Sequence, residues 1–202
     1  MRSKIILIVS ILMAGLTMTF SDSFAEKEKK MSDAITVIHS RKSVRNFTGQ
    51  TVSRALLDKI VRAGMAAPSA VNRQPWSFVV VTDRKMLDML NDELPYAKML
   101  GKAGAAIIVC AIPDKAYDGS KEFAIIDSTL AGENILLAAE ALGLGAVWTA
   151  TYPYEERMDV VRKVLGIPGN VIPLNVIPIG YPVGTDKPKN KYKPENVHWE
   201  KW

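Results

Sequence analysis

Residues 121–142 read as one long helix, and no other segment restricts the fold as strongly. Phe123, Ile126, Leu130, Asn134, Leu137 and Ala141 recur at spacings of three and four, and the second half is apolar almost all round. A helix that is hydrophobic on several faces has to be covered on several faces, by a large core or by a second subunit. Ser128, Ala131, Gly132, Ala138 and Ala139 add small side chains that allow a neighbouring element to approach closely. A chain of 202 residues with 48% hydrophobic content is long enough to build that core in one domain.

The flanking sequence supplies further helices and strands. Ser32 or Asp33 caps a short helix to about His39, and Ser53 caps a second over 53–66, with Leu56, Leu57, Ile60, Val61 and Gly64 at helical spacing. Residues 76–82 and 105–112 are β-branched or apolar runs that predict buried strands, with a short helix at 84–90 between them. Residues 146–151 predict another strand, 154–165 a helix ended by Gly166 and Pro168, and 171–179 a last strand interrupted by prolines. Beyond Pro182 the chain is polar, lysine-rich and extended, yet it ends with Val197, His198, Trp199 and Trp202. Two tryptophans in an open tail need a surface to bury them, and a neighbouring subunit is the simplest one.

The first 25 residues read as an address. Arg2 and Lys4 precede an apolar run from Ile5 to Leu16, and Ser23, Phe24, Ala25 place small residues where a signal peptidase reads. The division is therefore a cleaved signal peptide over 1–25, a charged spacer over 26–32 and a folded domain over 33–202. The location is periplasmic or secreted, with no membrane contact after cleavage. The rival is a membrane anchor left uncleaved, but the apolar run is shorter than the roughly 20 residues that span a bilayer.

Many chemistries lack their residues. His39 and His198 are the only histidines, and there is no HExxH, paired CxxC, GxSxG or GxxxxGK motif, which argues against a zinc site, a serine nucleophile or a phosphate loop. Gly143, Leu144, Gly145 follow a helix and enter a strand, the reverse of the order that puts phosphate on a helix N-terminus, so they read as a helix stop. The single cysteine, Cys110, lies in an apolar strand and reads as a core residue. The net charge of +5 comes from lysine runs without interleaved aromatics, so no nucleic acid is expected. Activity therefore has to come from a bound cofactor or from an unrecognised carboxylate pair.

Two segments offer such a site. Arg41, Lys42, Ser43, Val44 and Arg45 combine three cations with a hydroxyl, the mixture that a phosphate accepts. The same residues would also make a solvated basic loop. Residues 67–76, between a predicted helix and a strand, combine rigid prolines, small residues and amides, with Pro68, Ser69, Asn72 and Gln74 the candidate contacts. These suit a flat ring with a polar edge, although such a loop is usually just a turn.

The motifs RKSVRNF, APSAVNRQPWSFVVV, NILLAAEALGLGAVW and VIPLNVIPIGYP together resemble the nitroreductase family, in order and spacing, over nearly all of the chain after the signal. That resemblance implies an α+β fold with a central mixed or antiparallel sheet flanked by helices. It also implies an entwined homodimer with exchanged C-terminal arms and an FMN site at the interface. By position it implies Arg41, Lys42, Ser43 and Arg45 at the FMN phosphate and ribityl, and Pro68, Ser69, Asn72 and Gln74 against the flavin. A basic pair near the C-terminus completes the phosphate site, with Lys189 and Lys191 the nearest match and Lys193 a competitor. Trp148 and Thr149 would come near the ring, and Tyr152 and Pro153 by its reactive edge. A backbone amide from this turn reaches the flavin N5 in relatives, and Pro153 has none.

The activity implied is ping-pong transfer from NAD(P)H through FMN to a nitroaromatic, a quinone or another small aromatic acceptor. Residues 95–100 and 114–123 are expected at the acceptor pocket, with Tyr96, Tyr117 and Phe123 as stacking candidates. Core packing would explain these three aromatics equally well. Export leaves two alternatives open: an FMN-dependent dehydrogenase or dehalogenase with a non-nicotinamide reductant, or a flavin-binding protein without turnover.

Overall fold

Prolines shape the middle of the sheet. In the computed structural model, which describes residues 33–202, the last strand β6 (Asn175–Gly180) runs through Pro178 and pairs antiparallel with β2 (Ala105–Ala111) on one side. On its other side the predicted strand at 146–151 is split into β3 (Gly145–Ala146) and β4 (Thr149–Ala150). Both pieces keep one register on β6, Ala146 opposite Ile179 and Thr149 opposite Val176. The gap therefore faces Ile177 and Pro178, where the proline ring supplies no N–H to a ladder. The interruption displaces Val147 and Trp148 from the sheet.

The sheet runs β1 (Trp76–Val81), β2, β6, β3, with β5 (Ile172–Pro173) also on β2. Every pairing between these strands is antiparallel, and a single parallel bridge joins Ser43 to Ala146. Because successive side chains point to opposite faces, β2 divides its residues between two cores. Ala105, Ile107 and Val109 join Leu57, Ile60, Ile135 and Ala139, whereas Ala106, Ile108 and Cys110 join Leu87, Leu90 and Val161. The first core is closed by α2 (Arg54–Met65) and α4 (Lys121–Ala141). The second is closed by α3 (Arg84–Glu93) and α5 (Glu155–Leu165). The capping residues are those the sequence predicts: Ser53 Oγ accepts from the Leu56 amide, and Gly166 ends α5 in the left-handed region at φ 67°. The helix α1 (Asp33–Ser40) precedes this body as a separate unit. The expected signal and spacer at 1–32 lie outside the described residues. Among the described residues no helix is long and apolar enough to cross a membrane.

Of the α4 residues at spacings of three and four, Phe123, Ile126 and Leu130 are exposed, Ile126 to 55%, whereas Asn134 and Leu137 are half-buried. The buried face is the small one, with Ala124, Asp127, Ser128, Ala131, Gly132, Ile135, Leu136 and Ala139. Small side chains let α4 lie close to its neighbours, and at Gly64 of α2 an added Cβ would stand 3.0 Å from Ile135.

Cys110 has the environment of a core hydrophobe. Burial pushes its thiol up to about 12, because a thiolate would be stripped of water there. Native protein at pH 8 is therefore expected to leave this thiol unreactive towards an aromatic disulfide reagent, and denaturant should release one equivalent. Rapid labelling of the folded state would contradict the buried position.

Candidate functional site

Three of the four residues after Ala70 sit in unusual backbone. Val71, Asn72 and Gln74 have φ of 49°, 56° and 52°, a region in which a residue with a Cβ is held at a cost of about 1–3 kcal/mol. Hydrogen bonds supply the constraint. Ser69 Oγ accepts from the Gln74 amide at 2.9 Å, Gln74 Nε2 donates to Asn72 Oδ1 at 3.2 Å, and the Ala70 amide donates to Asp127 Oδ2 at 3.1 Å. Asp127 is only 3% exposed, so this loop is tied to the interior of α4. Its far end is fixed where Ser128 Oγ and the Ile112 amide both donate to the Pro75 carbonyl. The structure thus brings Ser69, Asn72 and Gln74 into one rigid turn following Pro68, with the Asn72 and Gln74 side chains exposed.

The basic segment is attached elsewhere on the same helix. Lys42 Nζ donates to both carboxylate oxygens of Glu140 at 3.0 and 3.1 Å, and Arg41 Nε lies 3.4 Å from Glu133. Two of the cations expected at a phosphate therefore already hold carboxylates, Arg41 with one of its five donors. Ser43 bridges to Ala146, and the Val44 amide donates to the Ala146 carbonyl at 3.0 Å. The strand approaches so closely that a Cβ on Gly145 would meet Val44 at 2.5 Å.

Arg45 opens onto a cavity of about 780 Å³ lined by Arg45, Asn46, Phe47, Lys98, Met99, Lys102, Val183 and Thr185, within the size range of cofactor pockets. Lys98 and Lys102 were not foreseen as site residues: the segment 95–100, expected at the acceptor, gives Lys98 and Met99 to this cavity. Two lysines four apart beside a basic segment distant in sequence leave no local signature. Arg84 fixes their turn by donating to the Leu100 and Ala103 carbonyls at 2.7 and 3.0 Å. The chain after β6 forms the opposite wall, with the Val183 amide on the Asn46 carbonyl, Asn46 Nδ2 on Thr185 Oγ1 and the Arg45 amide 3.4 Å from Asp186. Three cations around a partly apolar cavity suit an anionic cofactor with a flat body, so the residues present fit FMN.

Other expected residues sit differently. Trp148 is displaced from the sheet onto α4, where a Cβ on Gly132 would lie 2.4 Å from its ring. Thr149 is buried and its hydroxyl donates to the Val176 carbonyl, so the side chain serves the sheet. Lys189 and Lys191 are exposed on the tail, as is Lys193. Tyr117 and Phe123 meet edge to face at 5.8 Å, whereas Tyr96 lies over Arg157 at 5.1 Å; the three do not form one stack. The Tyr152–Pro153 bond is cis.

The fold agrees with that of known proteins. The model of the Nitroreductase family matches residues 38–95 and 86–181. A protein of Methanothermobacter thermautotrophicus, provisionally named an NADH dehydrogenase/NAD(P)H nitroreductase, is 43% identical over 87% of this chain and 91% of its own length. A crystal structure from Bacteroides thetaiotaomicron under the same provisional name is 48% identical, with a TM-score of 0.79 over 84% of this chain and 98% of that one. A Desulfovibrio desulfuricans nitroreductase, also provisionally named and solved with FMN, is 27% identical with a TM-score of 0.71 over 84% of this chain and 97% of that one. The chain belongs to the nitroreductase family.

Gly132 gives a direct check on the geometry. Gly132→Ala is expected to push the Trp148 ring away from α4 and destabilise the protein by about 1–3 kcal/mol, read as a lower Tm with altered near-ultraviolet circular dichroism. An unchanged melting curve would mean that the ring does not rest there.

Proposed function

We propose that this protein is exported and works as a homodimer that uses NAD(P)H to reduce nitroaromatic or quinone acceptors. The chain is an FMN-dependent oxidoreductase, and the observation that carries the site assignment is the cation-lined cavity at Arg45, Lys98 and Lys102. FMN bound there supplies two-electron transfer between the nicotinamide and the acceptor. The protein's own residues hold and orient it. Ser43, Arg45, Lys98 and Lys102 present donors and positive charge to the anionic cofactor, and Arg41 adds its remaining donors. Lys42 fixes the segment to α4, and Lys189 with Lys191 reaches the phosphate from the tail. Ser69, Asn72 and Gln74 present their rigid turn to the ring.

Homodimerisation is supported by where these groups are anchored. The rigid loop is tied to α4 at Asp127, and Lys42 thirteen residues later at Glu140. At 1.5 Å and 100° per residue the two anchors lie about 20 Å apart and on well-separated faces of the helix. A loop from one protomer and a basic segment from the other close the site without moving either anchor. The exposed Phe123, Ile126 and Leu130 stripe then has a partner to cover it. The free edge of β1 and the open tail, with Trp199 and Trp202 at 80% and 101% exposure, provide for exchanged arms.

Purified protein incubated with FMN is expected to retain yellow colour, to bleach with NADH or NADPH, and to recover colour on adding a nitroarene or quinone. Bleaching only by another reductant would replace the nicotinamide donor, and no flavin uptake would refute the site. A double change, Ile126→Glu with Leu130→Glu, should convert the dimer to monomer in sedimentation and weaken FMN binding at least about tenfold. Flavin retained by a stable monomer would refute the shared site. Mature protein recovered from the periplasm or medium should begin at Glu26.

A further inference from the structure

The turn expected at the reactive edge carries two tyrosines, and a cation faces each. Lys121 Nζ lies 5.5 Å from the centroid of the Tyr152 ring, and the Arg157 guanidinium lies 3.7 Å from the centroid of Tyr154. Arg157 is also 5.1 Å from Tyr96, whose ring is largely exposed. All of these distances fall within the range over which a ring face attracts a cation. Arg157 thus draws together rings from two segments, Tyr96 and Tyr154, and Lys121 faces the second tyrosine of the same turn.

These cations retain hydrogen-bonding capacity. Stacking occupies the face of a guanidinium and leaves its in-plane N–H edges available to a carboxylate. Among the described residues the acidic group recorded against Arg157 is Glu156, whose oxygen is 3.9 Å from Nε, beyond hydrogen-bond distance, and which is well exposed. Lys121 has no ion pair among the described residues. Its neighbour Glu122 accepts from the Ser120 hydroxyl at 3.0 Å. Arg157 is mostly buried, its side chain 18% exposed, so its orientation is set before any ligand arrives.

We propose that the acceptor is an aromatic anion, a nitroarene or quinone bearing a carboxylate, sulfonate or ionised hydroxyl, whose charge is read by Arg157 and Lys121 while its ring lies against the Tyr96, Tyr152 and Tyr154 rim. This rests on the proposed reduction of nitroarenes or quinones and on the expectation that Tyr152 and Pro153 lie by the reactive edge of the flavin. The charge contact acts in binding and leaves the electron transfer itself unaltered, so it acts through KM. Arg157, held by two rings, is the anchor, and Lys121 adds a more exposed and more salt-sensitive attraction.

The test compares 4-nitrobenzoate with neutral 4-nitrobenzyl alcohol on FMN-loaded protein. The kcat/KM ratio is expected to favour the anion by about tenfold, carried by KM. Arg157→Gln should reduce that ratio about tenfold, Lys121→Met about threefold, and Lys121→Arg should restore most of it. In parallel, calorimetric titration of the holoprotein should show benzoate binding more tightly than benzamide, with the difference reduced in both variants and in 0.5 M salt. Equal ratios for the two acceptors, or a preference untouched by Lys121→Met and Arg157→Gln, would overturn the proposal. If neither nitroarene is reduced, the acceptor class proposed above fails, and the benzoate titration alone decides the anion preference.

Discussion

Three carboxylates on α4 organise the site. Asp127 holds the strained loop, Glu133 engages Arg41, and Glu140 takes Lys42. The helix that supplies the small-residue face of the core is therefore also the element that positions both segments proposed to bind the cofactor. A shift of α4 against the sheet would move all three anchors together. The close contacts at Gly64 and Gly132 oppose that shift, because neither position leaves room for even one added carbon without displacement of Ile135 or Trp148.

The ion pairs of Arg41 and Lys42 also change the electrostatics of the basic segment. A cation already balanced by a carboxylate offers less net attraction to a phosphate than a free one. The positive field of the cavity falls more heavily on Arg45, Lys98 and Lys102. Lys98 is held by the Asn91 and Asp92 carbonyls at 2.6 and 3.0 Å, at the C-terminal end of α3, where carbonyl groups favour a cation. Its ammonium is fixed at the rim and keeps one further donor for a ligand. Arg84 contributes at one remove, through the carbonyls of the turn that carries both lysines.

Much of this was legible in the sequence because it is local. The caps Ser53 and Gly166, the apolar run of β2 and the turn-forming character of the 67–76 segment each depend on a few neighbouring residues. What was not legible depends on pairs distant in the chain. The split of the 146–151 strand is caused by Pro178, about thirty residues away. The outward turn of Phe123, Ile126 and Leu130 follows from the competing small-residue face, since a helix with apolar residues on several sides does not declare which side the sheet takes. The hydroxyl of Thr149 was expected near the ring, but burial obliges it to find a partner, and the Val176 carbonyl is there. Lys98 and Lys102 join Arg45 only once the turn after α3 and the basic segment are brought onto one cavity.

The strained loop and the outward face of α4 belong to one physical argument. Three positive-φ residues in a row of four, none of them glycine, persist only where surrounding structure over-determines them. Here that structure comes from Ser69, Asp127 and the Pro75 carbonyl, all within the protomer, so the turn is formed before any ligand or partner arrives. Its exposed amides are consequently pre-organised, and binding does not have to supply the ordering free energy. The apolar stripe on α4 is likewise present at full strength in the single chain. A protomer that carries a preformed turn beside an uncovered apolar face has little reorganisation left to do on the proposed association. In the proposed dimer, burial of Phe123, Ile126 and Leu130 supplies the driving force, and completion of the cofactor site follows from the geometry.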